Sequence, residues 1–376
     1  MKQKRGFLHE VEYTRAFAIL GVVLVHSTST GVSGSHPDSV AFYFYNFFNI
    51  ATKIGTPTFI FLSSFVLFYN YYHRPLTASL MKRFYYNRFL YILIPYVIFS
   101  FIYYFINTYY HVGFADKTFL IKDFLKRLAE GNAYPHLYFL FISMHFYILF
   151  PILLYLLKKY KPLREHAILI GIIIYWAWII LNSKYLHIES RNLLFMSYLM
   201  FYFFGAFLGI YYEKVLAWIK NWRKSMMWVG LIFFAYGFLI CFYVFIYYMM
   251  RKGLEHYSIY TVKFAWSSQG LLAAAVLFFI AHMIHYHAGG RIKSFLMGLG
   301  SDSYGVYLIH PLLLFFMRRW LPSGEPLIFH SWQFISFIIA LFGSWFIVRL
   351  THTYVPFSWM FFGKDSNRRS KPARSR

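Results

Sequence analysis

The sequence is poor in charged residues and almost free of cysteine. Charged side chains make up 13% of its 376 residues, about half of the ~25% usual in soluble domains. Among the charged residues, the acidic ones are the scarcer, with 13 aspartates and glutamates against 37 lysines and arginines. The single cysteine, Cys241, can form no disulfide within the chain and gives no information on the redox compartment. This composition excludes an ordinary soluble domain.

Motifs of several common chemistries are also missing. The sequence contains no metal-ligand spacing, no phosphate-binding P-loop, no dinucleotide glycine fingerprint and no serine elbow. We therefore expect no metal ion in the protein. No low-complexity linker divides the chain, so we predict one transmembrane domain over residues 1–363, followed by a basic cytoplasmic tail at 364–376.

Long apolar runs are what the sequence has in abundance. Hydrophobic residues make up 59% of the chain, and apolar stretches of about 18 or more residues, the length a helical span requires, recur evenly. The predicted fold is an all-α integral membrane bundle of about ten transmembrane helices, multi-pass in the cell membrane. The predicted spans are 13–31, 55–72, 89–110, 137–157, 167–183, 194–213, 226–249, 261–284, 301–321 and 328–350.

The net charge of +24 follows from membrane topology. If the N-terminus is cytoplasmic, the loops and tail on that side carry about twice as many basic residues as the opposite side. This positive-inside bias predicts that both termini are cytoplasmic. The bilayer is therefore the expected partner, and nucleic acid is not.

Two ionisable side chains, Arg15 and His26, interrupt the first apolar run. Eleven residues at about 100° each place them on one face of one helix, about 16 Å apart along its axis. Taken alone, Arg15 could be a snorkelling anchor paired with Glu12, and His26 could be a structural histidine. Ionisable groups in hydrocarbon normally face a cavity or a partner, so the aligned pair predicts a polar path into the membrane. A histidine there can accept and return a proton.

A basic segment precedes the third predicted span. Lys82, Arg83 and Arg88 lie within seven residues, interleaved with aromatic side chains. Such a segment could bind a phosphorylated ligand, because arginine offers bidentate donors and aromatic rings can stack. Ordinary positive-inside charge at an aromatic membrane boundary explains it equally well.

The ninth predicted span contains a second intramembrane histidine. Its sequence from Ser303 to Pro311 places His310 about nine residues into the span. Pro311 follows directly, and a proline inside a helix frees a backbone carbonyl one turn earlier and favours a kink. The pattern is typical of a cavity or a hinge.

Together these elements resemble the acyltransferase type 3 family of integral membrane O-acyltransferases, and within it the intercellular adhesion C type. The spacing of Glu12, Arg15 and His26 is similar to the family pattern of an acidic residue, an arginine and a histidine. The segments 87–96 and 303–311 are similar to two further family elements. The resemblance runs from about residue 9 to 350.

The resemblance implies an activity. An acyl-CoA donor, expected to be acetyl-CoA, would be engaged on the cytoplasmic side, and the acceptor would be a hydroxyl of a cell-surface or exported glycan. Glycan synthase or export proteins would be possible further partners. By the same resemblance, His26 would be the catalytic histidine and Arg15 its basic companion.

The donor site is implied less directly. By resemblance Arg88 would bind the donor, but Tyr91 stands where many relatives have a further arginine. Lys82 and Arg83 would then replace that missing charge. His310 would orient the acceptor in the catalytic site.

Two other functions remain open from the sequence alone. The chain could be a polysaccharide exporter or flippase whose intramembrane histidines and arginine form a substrate lane without any acyl-transfer chemistry. A channel or a sensor is a weaker alternative, because acidic residues are scarce in the spans.

Overall fold

The computed structural model describes residues 6–111, 117–189, 194–321 and 325–364. Throughout those residues the regular structure is helical. The α-helices are α1 His9–Gly34, α2 Val40–Ala51, α3 Gly55–Tyr71, α4 Ala78–Arg88, α5 Ile94–His111, α6 Lys117–Glu130, α7 Tyr138–Lys159, α8 Lys161–Glu165, α9 Ala167–Leu181, α10 Leu199–Lys220, α11 Trp222–Arg251, α12 Ile259–His287, α13 Gly290–Ser301, α14 Ser303–Arg319, α15 Pro326–Ile338, α16 Ser344–Tyr354 and α17 Trp359–Phe362.

The predicted all-α multi-pass membrane fold is confirmed. Over the described residues, nine helical stretches are long and apolar enough to cross a membrane, and they coincide with nine of the ten predicted spans. The remaining predicted span, 301–321, is helix α14, which has 17 residues. The cytoplasmic placement of the termini stays a prediction. Residues 1–5 and nearly all of the predicted tail, from residue 365, lie outside the described residues.

The chain forms two compact units. The first comprises Met1–Tyr72 and Met200–Trp345, and the second comprises His73–Leu199 and Phe346–Arg376. Helices α1–α3 and α11–α15 belong to the first unit, whereas α4–α9 and α17 belong to the second. His26, Arg15 and His310 therefore lie in the first unit, and the basic segment with Arg88 lies in the second.

Helix α1 is the centre of the first unit. It packs against α2, α3, α12, α13, α14 and α15. The second span is broken into α2 and α3, and α2 was not predicted. Ser39 caps α2 by accepting a hydrogen bond from Phe42 N at 3.1 Å. The break falls at residues 52–54, three to five residues before Pro57, whose ring nitrogen cannot donate to the preceding helical turn.

Glycines allow two close helix contacts in the first unit. A Cβ on Gly205 of α10 would lie 2.2 Å from Phe61 O of α3, and one on Gly209 would lie 2.6 Å from Phe65 O. Gly205 and Gly209, four residues apart on one helix, thus allow tight helix packing. A Cβ on Gly300 of α13 would lie 1.9 Å from Glu12 O, so α13 packs directly on the backbone of α1.

Helices α13 and α14 follow one another along α1. Asp302 separates them and accepts a hydrogen bond from Trp345 Nε1 at 2.8 Å. Helix α14 continues through Pro311 without interruption, so the break in this region lies at Asp302 and not at the proline. The arrangement places α13 beside the first turns of α1 and α14 beside its later turns.

The second unit carries the basic segment at the junction of two helices. Thr77 caps α4 by accepting a hydrogen bond from Leu80 N at 3.3 Å. Helix α4 ends at Arg88, a π-helical turn covers Phe89–Leu93, and α5 follows. π-Helical turns are rare and are frequent at functional sites.

Candidate active site

Two histidines meet where α1 and α14 pack together. The rings of His26 and His310 have centroids 5.3 Å apart and are inclined at 49°. His310 is completely buried, whereas His26 is half-buried. His26 lies between four and five residues beyond the middle of α1, or about 7 Å along the axis. The structure therefore brings together the histidines of the first and ninth predicted spans.

The ring of His26 differs from other histidines of the membrane helices. The Nδ1 atoms of His145, His282 and His310 each lie 2.8–3.0 Å from the backbone carbonyl four residues earlier, a local contact that fixes the ring. In the described part of the chain, no residue forms a hydrogen bond with a ring nitrogen of His26. His26 therefore retains both nitrogens for a substrate, and this is what a proton acceptor needs.

Side-chain hydroxyls donate hydrogen bonds to the backbone oxygens of α1 next to His26. Thr28 Oγ1 donates to Leu24 O at 2.6 Å, and Ser29 Oγ donates to Val25 O at 2.7 Å. The serine and threonine side chains that follow His26 thus bond back to their own helix, as such residues often do in membrane helices. These hydroxyls make this part of α1 polar, and no ligand is needed to explain their presence.

Arg318 contacts His26 directly. Its Nη2 donates to the backbone oxygen of His26 at 2.5 Å, from the last turn of α14. Arg318 and Arg319 stand near the end of the predicted span 301–321, and a basic pair at a helix end usually marks the membrane boundary. No sequence signal links residues 292 positions apart, so this contact could be found only in the structure.

A second arginine reaches the same region through an amide. Arg251 Nη2 donates to Asn49 Oδ1 at 2.7 Å, and Asn49 Nδ2 donates to Val25 O at 2.8 Å. Arg251 Nη1 also donates to Asn46 Oδ1 at 2.8 Å. The two asparagines lie on α2, the helix that hydropathy did not predict. They tie α11 to the turn of α1 that precedes His26.

Arg15 lies at the other end of α1. Its Nη1 forms an ion pair with Glu12 Oε1 at 2.8 Å, which confirms the predicted pairing. Arg15 is 31% exposed and Glu12 is 6% exposed. Because α1 is continuous from His9 to Gly34, Arg15 lies about 16 Å from His26 along the axis, and its partner lies a turn further away.

Further titratable groups surround the start of α1. The buried carboxylate of Glu10 lies 3.9 Å from His285 Nε2 of α12. The rings of His9 and His285 stack with centroids 5.6 Å apart. Across the described residues, no group of three or more histidine, cysteine, aspartate or glutamate side chains is arranged to hold a metal ion. Glu10, His9 and His285 thus form a small acid–histidine cluster at the start of α1.

The cations of the basic segment in the second unit differ in their exposure and contacts. Lys82 and Arg83 are exposed on α4. The Arg88 guanidinium lies over two aromatic rings, 5.1 Å from the centroid of Phe84 and 4.7 Å from that of Tyr147. Its Nε is buried and has no hydrogen-bond partner among the described residues. These aromatic contacts hold the Arg88 guanidinium in place, and the stacking of a ligand on the rings of this segment stays a prediction.

The fold and this site define a multi-pass membrane protein with a histidine pair where α1, the central helix of its first unit, meets α14. An acyltransferase-domain family covers residues 8–349, so the chain belongs to the acyltransferase type 3 family. This confirms the resemblance seen in the sequence.

Curated relatives carry a name that refers to export. A protein of Staphylococcus aureus (strain MRSA252) is 23% identical over 319 residues, which cover 81% of this chain and 82% of the relative. A protein of Staphylococcus epidermidis is 22% identical over 316 residues, covering 81% of each. Both are named probable poly-beta-1,6-N-acetyl-D-glucosamine export protein. No solved structure matches the chain.

Proposed function

We propose that this chain moves an acetyl or similar small acyl group from cytoplasmic acyl-CoA to a hydroxyl of a cell-surface or exported glycan. The family membership supports acyl transfer, and the names of the relatives support a polysaccharide as the acceptor. The observation that carries the proposal is the half-buried His26, whose ring nitrogens are unengaged beside the buried His310.

The proposed reaction uses His26 as a general base. His26 accepts the proton of the acceptor hydroxyl while the hydroxyl oxygen bonds to the carbonyl carbon of the thioester. The carbon–sulfur bond then breaks, and the departing thiolate takes the proton from the imidazolium. The products are a glycan ester and the free CoA thiol. Base catalysis of this kind contributes about 10²- to 10⁴-fold in rate. His310, 5.3 Å away, would orient the acceptor.

The donor is assigned to the basic cations of the sequence. Arg88, held between Phe84 and Tyr147, would bind a phosphate of the donor with the aid of the exposed Lys82 and Arg83. Arg15, some 16 Å from His26, would act at the donor entrance and not on the reacting atoms. A covalent route, in which His26 is acylated first, uses the same residues.

Acyl transfer can be tested with the purified full-length chain in lipid nanodiscs. The substrates are isotopically labelled acetyl-CoA and oligomers of β-1,6-linked N-acetylglucosamine, with ester formation measured by mass spectrometry. His26→Gln should lower the rate by about 10²- to 10⁴-fold. His36→Gln, in the exposed loop after α1, is the matched control and should transfer at the wild-type rate. Wild-type transfer by the His26 variant would contradict the proposal.

Export without chemistry is the second candidate, because the relatives are named as export proteins. In that case the polar groups near His26 would line a path for the glycan. The same nanodisc protein would then form no ester, while vesicles containing it would move labelled oligosaccharide across the bilayer. Movement without ester formation would favour the carrier.

A further inference from the structure

The cation nearest to His26 is Arg318, not Arg15. Arg318 Nη2 binds the backbone oxygen of His26 at 2.5 Å, whereas Arg15 is three helical turns away and is paired with Glu12. The side chain of Arg318 is exposed, so a bound molecule can reach it. Helix α14 thus delivers an imidazole and a guanidinium to the same residue of α1.

Acyl transfer needs a positive group beside the reacting carbonyl. When the hydroxyl oxygen attacks, the carbonyl oxygen gains negative charge, and stabilising that charge is usually the largest single contribution to catalysis. The base and the oxyanion donor flank the carbonyl, each about 3 Å from the atom that it serves. A guanidinium bound to the main chain of the base residue lies at the same turn of α1 as the base, whereas Arg15 lies three turns away.

We propose that Arg318 is the oxyanion donor of the His26 site, an inference that rests on the proposed acyl transfer. A guanidinium has five N–H donors in one plane, so it can bind His26 O and a second acceptor at the same time. In the reaction, the π electrons of the thioester carbonyl move onto its oxygen as the hydroxyl oxygen bonds to carbon, and Arg318 donates a hydrogen bond to that oxygen. The electrons return when the carbon–sulfur bond breaks.

Arg319 offers a matched control. It is the next residue, carries the same charge, and is exposed in the same last turn of α14. Two neighbouring arginines on one helix point about 100° apart, so they cannot serve the same atom. Replacing each in turn separates a specific role of Arg318 from a general effect of positive charge at this end of the helix.

The test measures steady-state acetyl transfer by the full chain in nanodiscs. Arg318→Ala should lower kcat by about 10²-fold or more while changing KM for acetyl-CoA by less than about threefold, because the interaction forms with the developing charge. Arg318→Lys should recover only part of kcat, since an ammonium lacks the planar fork. Arg319→Ala should stay within about threefold of wild type.

Guanidinium ion at a non-denaturing concentration provides a second readout. It should restore part of kcat to Arg318→Ala and not to Arg318→Lys, whose ammonium occupies the site. A purely structural tie between α14 and α1 would not be rescued in this way. Thermal unfolding of each purified variant shows whether it folds, and Arg318→Lys keeps the test available if the alanine variant does not.

The outcomes distinguish a failure of the oxyanion role of Arg318 from a failure of the proposed acyl transfer. If wild type forms ester and His26→Gln does not, but Arg318→Ala keeps its kcat or falls only as far as Arg319→Ala, the oxyanion role is wrong and acyl transfer stands. The role is equally wrong if only the yield of folded protein falls. If wild type forms no ester, the proposed function fails and the oxyanion role fails with it.

Discussion

The ionisable groups at the two ends of helix α1 have different kinds of bonding partner. Near its start, Arg15 forms an ion pair with Glu12, and the Glu10 carboxylate lies 3.9 Å from His285 Nε2. Near His26, Arg318 donates a hydrogen bond to a backbone carbonyl, and Arg251 donates hydrogen bonds to asparagine amides. Ion pairing neutralises charge and holds a helix, whereas a hydrogen bond to an uncharged oxygen leaves the charge of a guanidinium in place. Under the proposed function the reacting groups lie at the second end, which we call the reactive end, whereas Arg15 at the first end acts at the donor entrance.

The contact of α13 with the start of α1 offers the largest expected effect on stability. Gly300→Ala would place a methyl group 1.9 Å from Glu12 O, so the two backbones must separate. We expect a loss of about 3 kcal/mol in the free energy of unfolding. Gly237→Ala, where a Cβ meets nothing within 4 Å, is the control and should cost nothing. Equal stability of the two variants, measured by denaturation in detergent, would show that this end is not tightly packed.

The ion pair at the first end gives a smaller effect. Glu12→Gln leaves Arg15 without its charged partner, and we expect a loss of about 2 kcal/mol, since hydrogen bonds to charged groups are the stronger ones. The double variant with Arg15→Gln should recover part of this loss, because no unpaired cation remains. A double-mutant cycle on unfolding free energies measures the coupling, and additive losses would mean that the pair does not stabilise α1.

The amide connection at the second end is weaker still. Asn49→Ala removes the bond to Val25 O and one acceptor of Arg251. Hydrogen bonds between membrane helices contribute modestly, so we expect about 1 kcal/mol. If this end exists to position His26, the same variant should lower the rate of acyl transfer more than Glu12→Gln does. If Glu12→Gln lowered the rate of acyl transfer more than Asn49→Ala, the division between the two ends of α1 would be wrong.

The smallest effect concerns the loop that follows the second end. Lys252 donates a hydrogen bond to Asp38, and this bond holds the pKa of the Asp38 carboxyl below its usual range. A lowered folded-state pKa stabilises the protein above the unfolded value of about 3.9, and the stabilisation disappears as the pH falls through the folded value. Asp38→Asn should therefore be slightly less stable than wild type at neutral pH and equal to it in strong acid. A difference that persists in acid would exclude this ion pair as its source.

Features within one helix could be predicted from the sequence. The three-residue spacing of Glu12 and Arg15 indicated their ion pair, and the eleven-residue spacing of Arg15 and His26 placed them on one face. Each depends only on helical geometry. The apolar runs likewise indicated the nine candidate spans, because length and composition determine whether a helix can cross a bilayer.

Features that join distant segments could not be predicted. Helix α2 was missed because its 12 residues are fewer than the roughly 18 that a predicted span requires. Its polar residues Asn46 and Asn49 contact α1 and α11, which lie far away in the sequence. Arg318 was interpreted as a boundary charge, since nothing in its local sequence points to His26. The contact of His26 with His310 was not predicted, because it joins two helices that are far apart in the sequence.

The most direct test replaces His26 by glutamine in cells that produce an exopolysaccharide through this chain, and measures the amount of surface polymer and its ester content by mass spectrometry. A reactive second end predicts polymer at the wild-type amount with its ester groups lost. Full esterification in the variant, or loss of the polymer from the surface with accumulation inside the cell, would contradict it.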